Sequence, residues 1–140
     1  MTTDALIENR VRECYRIHEY NCTITVFKIL SEIYDITLPE QFYAGAIGMN
    51  GAGQYGAQCG LVEGMLIMIG VMEGANGSDK DKIMGLCRKF AESYEKRFGS
   101  LLCRELRPEG FGDHVPDHLC EKISIDAVKF MHQFIEREMK

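Results

Sequence analysis

Apolar residues recur along this chain at intervals of three and four, the spacing of helices with one buried face. Between about Asp4 and Tyr20 they are Ile7, Val11, Cys14 and Tyr15. A second stripe of Cys22, Val26, Ile29, Leu30 and Ile33 follows Asn21, a residue type suited to capping a helix start. Pro39 opens a third helix at its first position, where a missing N–H costs nothing, and that helix runs to about Gly48. The stretch from Gly60 to Glu73 is apolar on most sides and reads as a helix buried at the centre of the fold, ended by Gly74, Asn76 and Gly77. Ser78 with Asp81 resembles a capping box ahead of a fifth helix, whose stripe is Ile83, Cys87, Phe90, Ala91, Tyr94 and Phe98 and which Gly99 stops. A short turn carries Leu102, Cys103 and Leu106. A loop with Pro108, Gly110 and Gly112 follows, and Pro116 opens the last helix, with Cys120, Ile123, Ala127, Phe130 and Phe134 on one face. No segment alternates as a strand does. The expected fold is all-α: one domain over residues 1–140, a bundle of about six helices around a buried central helix.

Charge narrows the partners. With 16 basic and 21 acidic side chains the net charge is −5, and no run of Lys or Arg offsets it locally, which argues against nucleic acid. The first residues lack the basic-then-apolar pattern of a secretory signal, and the Leu61–Met72 stretch is too short to cross a bilayer. These features point to a cytoplasmic protein without membrane insertion. The apolar Leu61–Met72 helix is also a candidate surface for a homodimer.

Six cysteines carry the candidate chemistry. In a reducing compartment cysteine clusters tend to be metal ligands or redox groups rather than structural bridges. Cys14 and Cys87 lie mid-helix on apolar stripes and read as core packing. Cys22, Cys59, Cys103 and Cys120 lie near helix ends or loops instead. Free N–H groups and the positive end of the helix dipole favour thiolate there, although burial on the stripes of Cys22 and Cys120 works the other way. No CxxC or CxxCH occurs, so the spacing leaves two uses open: four thiolates holding zinc or an iron–sulfur cluster, or two forming a reversible disulfide.

Other motifs change the picture less. The segment from Gly48 to Gly60 is glycine-rich, and Gly51 to Gly56 is formally GxGxxG, but no strand precedes it, so a dinucleotide site is not expected. Its glycines, Gly51, Gly53, Gly56 and Gly60, are instead candidates for backbone flexibility or for backbone N–H groups aimed at the Cys59 sulfur. His114 and His118 lie close to Cys120 in sequence but read as solvated loop residues. Glu63 is either solvated or a buried acid near Cys59. Arg104 is a candidate partner for a thiolate, with surface exposure as the plain alternative.

The local contexts of four cysteines resemble those of the C_GCAxxG_C_C family of redox-active proteins. Cys22 stands in an Asn-Cys-aliphatic context at a helix start. Cys59 to Gly64 reads CGLVEG against a CGAxxG motif, FGSLLCREL runs from Phe98 to Leu106, and Cys120 lies in LCEKI. The resemblance spans about residues 20 to 137. It implies a redox role for Cys22, Cys59, Cys103 and Cys120, and related domains in split-Soret-type cytochromes imply an iron–sulfur centre. Relatives carrying selenocysteine imply thiol chemistry instead. Leu61 stands where the motif has Ala, and its bulk is expected to narrow the space beside Cys59.

Two function classes follow. In the first, the four cysteines converge in a redox-active protein with a partner redox protein. Cluster or metal ligation is placed ahead of a dithiol couple, and Cys59 is the attacking thiolate if the couple operates. In the second, the chain is a non-enzymatic helical binding module with structural cysteines. Convergence of the sulfurs separates the two classes.

Overall fold

Local signals set the start of most long helices. In the computed structural model, which describes residues 1–140, eight helices form: α1 (Thr3–Arg16), α2 (Cys22–Ile33), α3 (Glu40–Gly45), α4 (Gly51–Gln54), α5 (Gly60–Ala75), α6 (Lys80–Phe98), α7 (Cys103–Leu106) and α8 (Glu121–Glu138). Side-chain oxygens of Thr2, Asn21 and Asp79 accept the N–H groups of Ala5, Ile24 and Lys82 at the starts of α1, α2 and α6. Gly99, in the left-handed conformation at φ 96°, stops α6.

The all-helical class holds, with a single isolated bridge between Gln58 and Leu102 in place of any strand. The helix count is eight rather than six, because two four-residue helices, α4 and α7, interrupt what the sequence presents as loop and turn. Three boundaries also move. Pro39 is the residue before α3 rather than its first, and α3 ends at Gly45. Asp79, not Ser78, caps α6, while Ser78 Oγ donates to Glu73 at 2.5 Å. The last helix begins at Glu121, so Pro116 lies in a loop and Cys120 sits at the N-cap position instead of one turn inside.

The buried face of α1 is Ile7, Val11, Cys14 and Tyr15, as its periodicity predicts. The centre, however, is shared. Helix α5 packs on α2, α6 and α8, and α2 is as deeply enclosed, with Thr23 to Phe27, Ile29 and Leu30 all buried. The α2–α5 contact is the most extensive in the fold. It is close because Gly64 has no side chain: a Cβ there would lie 3.0 Å from Val26 Cβ and 3.3 Å from the Thr23 carbonyl oxygen. The buried threonines of α2 are satisfied, Thr25 Oγ1 donating to the Asn21 carbonyl at 2.8 Å and Thr23 Oγ1 to that of Met49 at 2.5 Å. No helix is long and apolar enough to cross a membrane.

Two glycines of α5 therefore differ in sign. Gly64→Ala forces α2 outward and is expected to destabilise by about 1–3 kcal/mol. Gly70→Ala, whose Cβ meets nothing within 4 Å, is expected to stabilise by about 0.5–1 kcal/mol through the unfolded chain. Denaturant midpoints at unchanged m-value check both.

Candidate functional site

Four helix starts meet at one end of the bundle, and each brings a cysteine. Cys22 is the first residue of α2, Cys59 the residue before α5, Cys103 the first of α7, and Cys120 the residue before α8. All four line one cavity of about 270 Å³. Cys59 and Cys103 are 7 % and 9 % exposed, while Cys22 and Cys120 are half-buried.

Backbone pairing explains how residues so far apart in sequence converge. Segments 56–59 and 101–104 run antiparallel. The Cys59 N–H donates to the Leu101 carbonyl at 2.8 Å, Cys103 N–H to Ala57 at 2.7 Å, and Arg104 N–H to Gly56 at 3.1 Å. The glycine segment ahead of this ladder is a left-handed turn: Gly51, Ala52, Gly53, Gln54 and Gly56 have φ of 75°, 58°, 64°, 68° and 92°. L-residues pay roughly 1–2 kcal/mol for that conformation, a cost that falls here on Ala52 and Gln54. Asn21 fixes the other side, its Nδ2 donating to the carbonyls of Ala46 and Ile47 at 2.9 Å each.

Three of these glycines, Gly51, Gly56 and Gly60, also leave room for their neighbours. A Cβ on Gly60 would lie 2.3 Å from Cys22 Sγ and 2.5 Å from the Met49 carbonyl oxygen. One on Gly51 would lie 3.0 Å from Cys103 Sγ, one on Gly56 3.1 Å from Arg104 Cβ, and one on Gly53 would touch nothing. The amides that serve the Cys59 sulfur come from Leu61 and Val62, in the first turn of α5. Tyr94 Oη lies 3.8 Å from the same sulfur.

Burial decides the state of three thiols. Burial first, and then the neighbouring Cys59 and Cys120, push the Cys22 thiol up to about 12. Cys59 is raised as well, burial outweighing the amides and Tyr94 that favour its thiolate. The expected thiolate preference at the α5 start is thereby reversed. Cys103 is raised by burial and by the neighbouring Cys120, against the pull of Arg107.

Arg107 is the functional candidate that sequence reasoning missed. Its Nη1 donates to Cys120 Sγ at 3.3 Å, its Nε donates to the Gly110 carbonyl at 2.7 Å, and its guanidinium carbon lies 4.0 Å from the centre of the Phe111 ring. The only sequence signal is an arginine four residues before an aromatic in the loop leading to Cys120. Arg104, the expected partner of a thiolate, is exposed, and its Nε donates to the Gly56 carbonyl at 3.0 Å.

The remaining candidates fall outside the cavity. Cys14 is buried under α1, and Cys87 Sγ lies 3.8 Å from the Leu66 carbonyl oxygen. Glu63 is half-buried and accepts from Gln58 Nε2. His114 and His118 are exposed; His114 Nε2 lies 3.0 Å from the Glu109 carbonyl oxygen, and His118 lines only the adjoining hollow. Leu61 does line the cavity beside Cys59. Asn50 lines it too, and its buried Oδ1 has no hydrogen-bond partner. No three His, Cys, Asp or Glu side chains are grouped so as to hold a metal ion. The arrangement does not fit a single ion such as zinc, which needs converging ligands about 2.0–2.3 Å from the metal.

Fold and site define a class: small helical proteins that gather several cysteines into one cavity at the starts of their helices. This chain belongs to the family described as "Putative redox-active protein (C_GCAxxG_C_C)", whose model matches residues 20–134. No curated protein and no solved structure matches it.

The raised Cys22 thiol makes stability depend on alkaline pH. A group whose pKa rises from about 9 to about 12 on folding adds stability that is complete below pH 9 and lost as pH climbs towards 12. The unfolding midpoint of the wild type is expected to fall more steeply over that window than that of Cys22→Ala. Parallel curves would contradict the assignment.

Proposed function

We propose that the cavity is a thiol redox site working as a dithiol–disulfide couple, with Cys103 and Cys120 as the pair that opens and closes. The observation that carries this reading is the Arg107 guanidinium donating to Cys120 Sγ while it also favours a thiolate at Cys103. A fixed positive charge beside a sulfur stabilises the thiolate, the nucleophilic form. Cys120 is less buried than Cys59 and stands beside the only cation lining the cavity, so it replaces Cys59 as the attacking thiol. Closing the pair forms one S–S bond and gives up two electrons and two protons to an acceptor. Burial keeps Cys22 and Cys59, in the same cavity, as protonated thiols.

A second reading has its own support. Four thiols lining one cavity are twice what one disulfide needs, and Cys22, Cys59, Cys103 and Cys120 would be the donors to an iron–sulfur cluster. Such a cluster would supply one-electron transfer. The positive ends of the helix dipoles and Arg107 would then offset the charge of the thiolates.

Thiol counting separates the readings. Mild oxidation with diamide is expected to lower the free thiols from six to four, with full recovery in dithiothreitol and no change in Cys120→Ser. An unchanged count in the wild type contradicts the couple. Near-stoichiometric iron and acid-labile sulfide in protein purified without oxygen, lost in Cys59→Ser, would put the cluster in its place.

A further inference from the structure

The cavity walls carry one cation and one carboxylate, Arg107 and Glu19. Both residues, together with Cys120, also line the adjoining hollow of about 320 Å³, so the three stand together where the two spaces meet. The guanidinium is held by the Gly110 carbonyl and the Phe111 ring, and its Nη1 is on Cys120 Sγ, which leaves Nη2 for a second acceptor. Glu19 follows the end of α1 and is exposed, with a left-handed backbone at φ 54°. At about 270 Å³ the thiol cavity lies at the small end of ligand pockets, a size suited to a small molecule. The thiol cavity itself sets one charge of each sign beside a sulfur nucleophile, and the adjoining hollow adds a second carboxylate, Asp117; this matches a small molecule with a carboxylate and an ammonium group next to its own sulfur.

Building on the dithiol reading, we infer that the site takes small zwitterionic disulfides of the amino-acid type. The carboxylate pairs with Arg107 and the ammonium with Glu19, which sets a substrate sulfur against Cys120. The Cys120 thiolate attacks that sulfur. The substrate S–S bond breaks, and one half leaves as a thiolate that takes up a proton. The Cys103 thiolate then attacks the Cys120 sulfur of the mixed disulfide, and the second half leaves likewise. Two electrons pass from the protein dithiol to the substrate, and the two thiol protons end on the two released thiols.

The test uses three disulfides of related skeleton on the fully reduced chain without oxygen: cystine (zwitterionic), cystamine (dicationic) and 3,3′-dithiodipropionate (dianionic). Each oxidation rate is divided by that of the same disulfide with free glutathione, which removes intrinsic reactivity. Cystine is expected to exceed each of the others by about tenfold, the effect of one charge-assisted contact. Glu19→Gln is expected to bring cystine down to the level of dithiodipropionate, and Arg107→Gln to the level of cystamine. The ratios are decisive, because Arg107→Gln also slows all three through Cys120. Equal corrected rates, or a cystine preference unmoved by Glu19→Gln, overturn the substrate assignment. If none of the three reacts while diamide still removes two thiols reversibly, the substrate assignment falls and the dithiol reading stands. If diamide also leaves the thiol count unchanged, both fall.

Discussion

The absence of a side chain at Gly60 lets the site exist. Any Cβ at that position would overlap the Cys22 sulfur and the Met49 carbonyl oxygen. Because it is missing, the first turns of α2 and α5 meet without a spacer, and Thr23 Oγ1 lies 2.9 Å from the Gly60 carbonyl oxygen. Helices normally pack with axes 8–10 Å apart, and small residues at the contact allow the near end of that range. Gly64 extends the same approach one turn further along α5. The remaining pieces are hung from this contact. The ladder between segments 56–59 and 101–104 ties Cys103 to Cys59, and the loop from Arg107 returns over both to deliver Cys120.

Two opposed electrostatic effects then act on the thiols. Helix starts aim N–H groups out of the first turn, and the Leu61 and Val62 amides favour the Cys59 thiolate in this way. Burial acts against them and wins at Cys22, Cys59 and Cys103. A cavity of this kind holds its thiols protonated until something compensates the charge. Arg107 stands at one edge only, donating to Cys120 Sγ, which makes the four cysteines inequivalent even though all face the same space. Tyr15 and Tyr94, both buried, close the inner side: Tyr15 Oη lies 2.8 Å from Ser124 Oγ, and Tyr94 Oη faces the Cys59 sulfur.

Much of the fold can be read from the chain, because long helices bury periodic faces. Ile7, Val11 and Tyr15, or Val26, Ile29 and Leu30, declare themselves by spacing alone, and Asn21 does so as a cap. The short elements resist such reading. Helix α4 depends on positive φ at Ala52 and Gln54, residue types that seldom adopt it, and Pro116 leads into a loop where a helix start is the usual inference. Helix α2 shares the centre because its buried Thr23 and Thr25 find carbonyl partners, so polar letters conceal a core helix. The four cysteines were legible as candidates from their helix-end positions and their family contexts. Their convergence was an expectation of the family contexts, but the means was not legible, since it rests on a backbone ladder between segments more than forty residues apart. Arg107 was hidden for the same reason: its role comes from the Gly110 carbonyl and Phe111, which aim it at a sulfur.

The most direct test of the account is to map the disulfide formed in the mildly oxidised protein by mass spectrometry of its proteolytic peptides under acid quench. The account predicts one dominant cross-link, joining the peptides of Cys103 and Cys120, with Cys14 and Cys87 still reduced. A dominant link between any other two cysteines, or a fully reduced map, would contradict it.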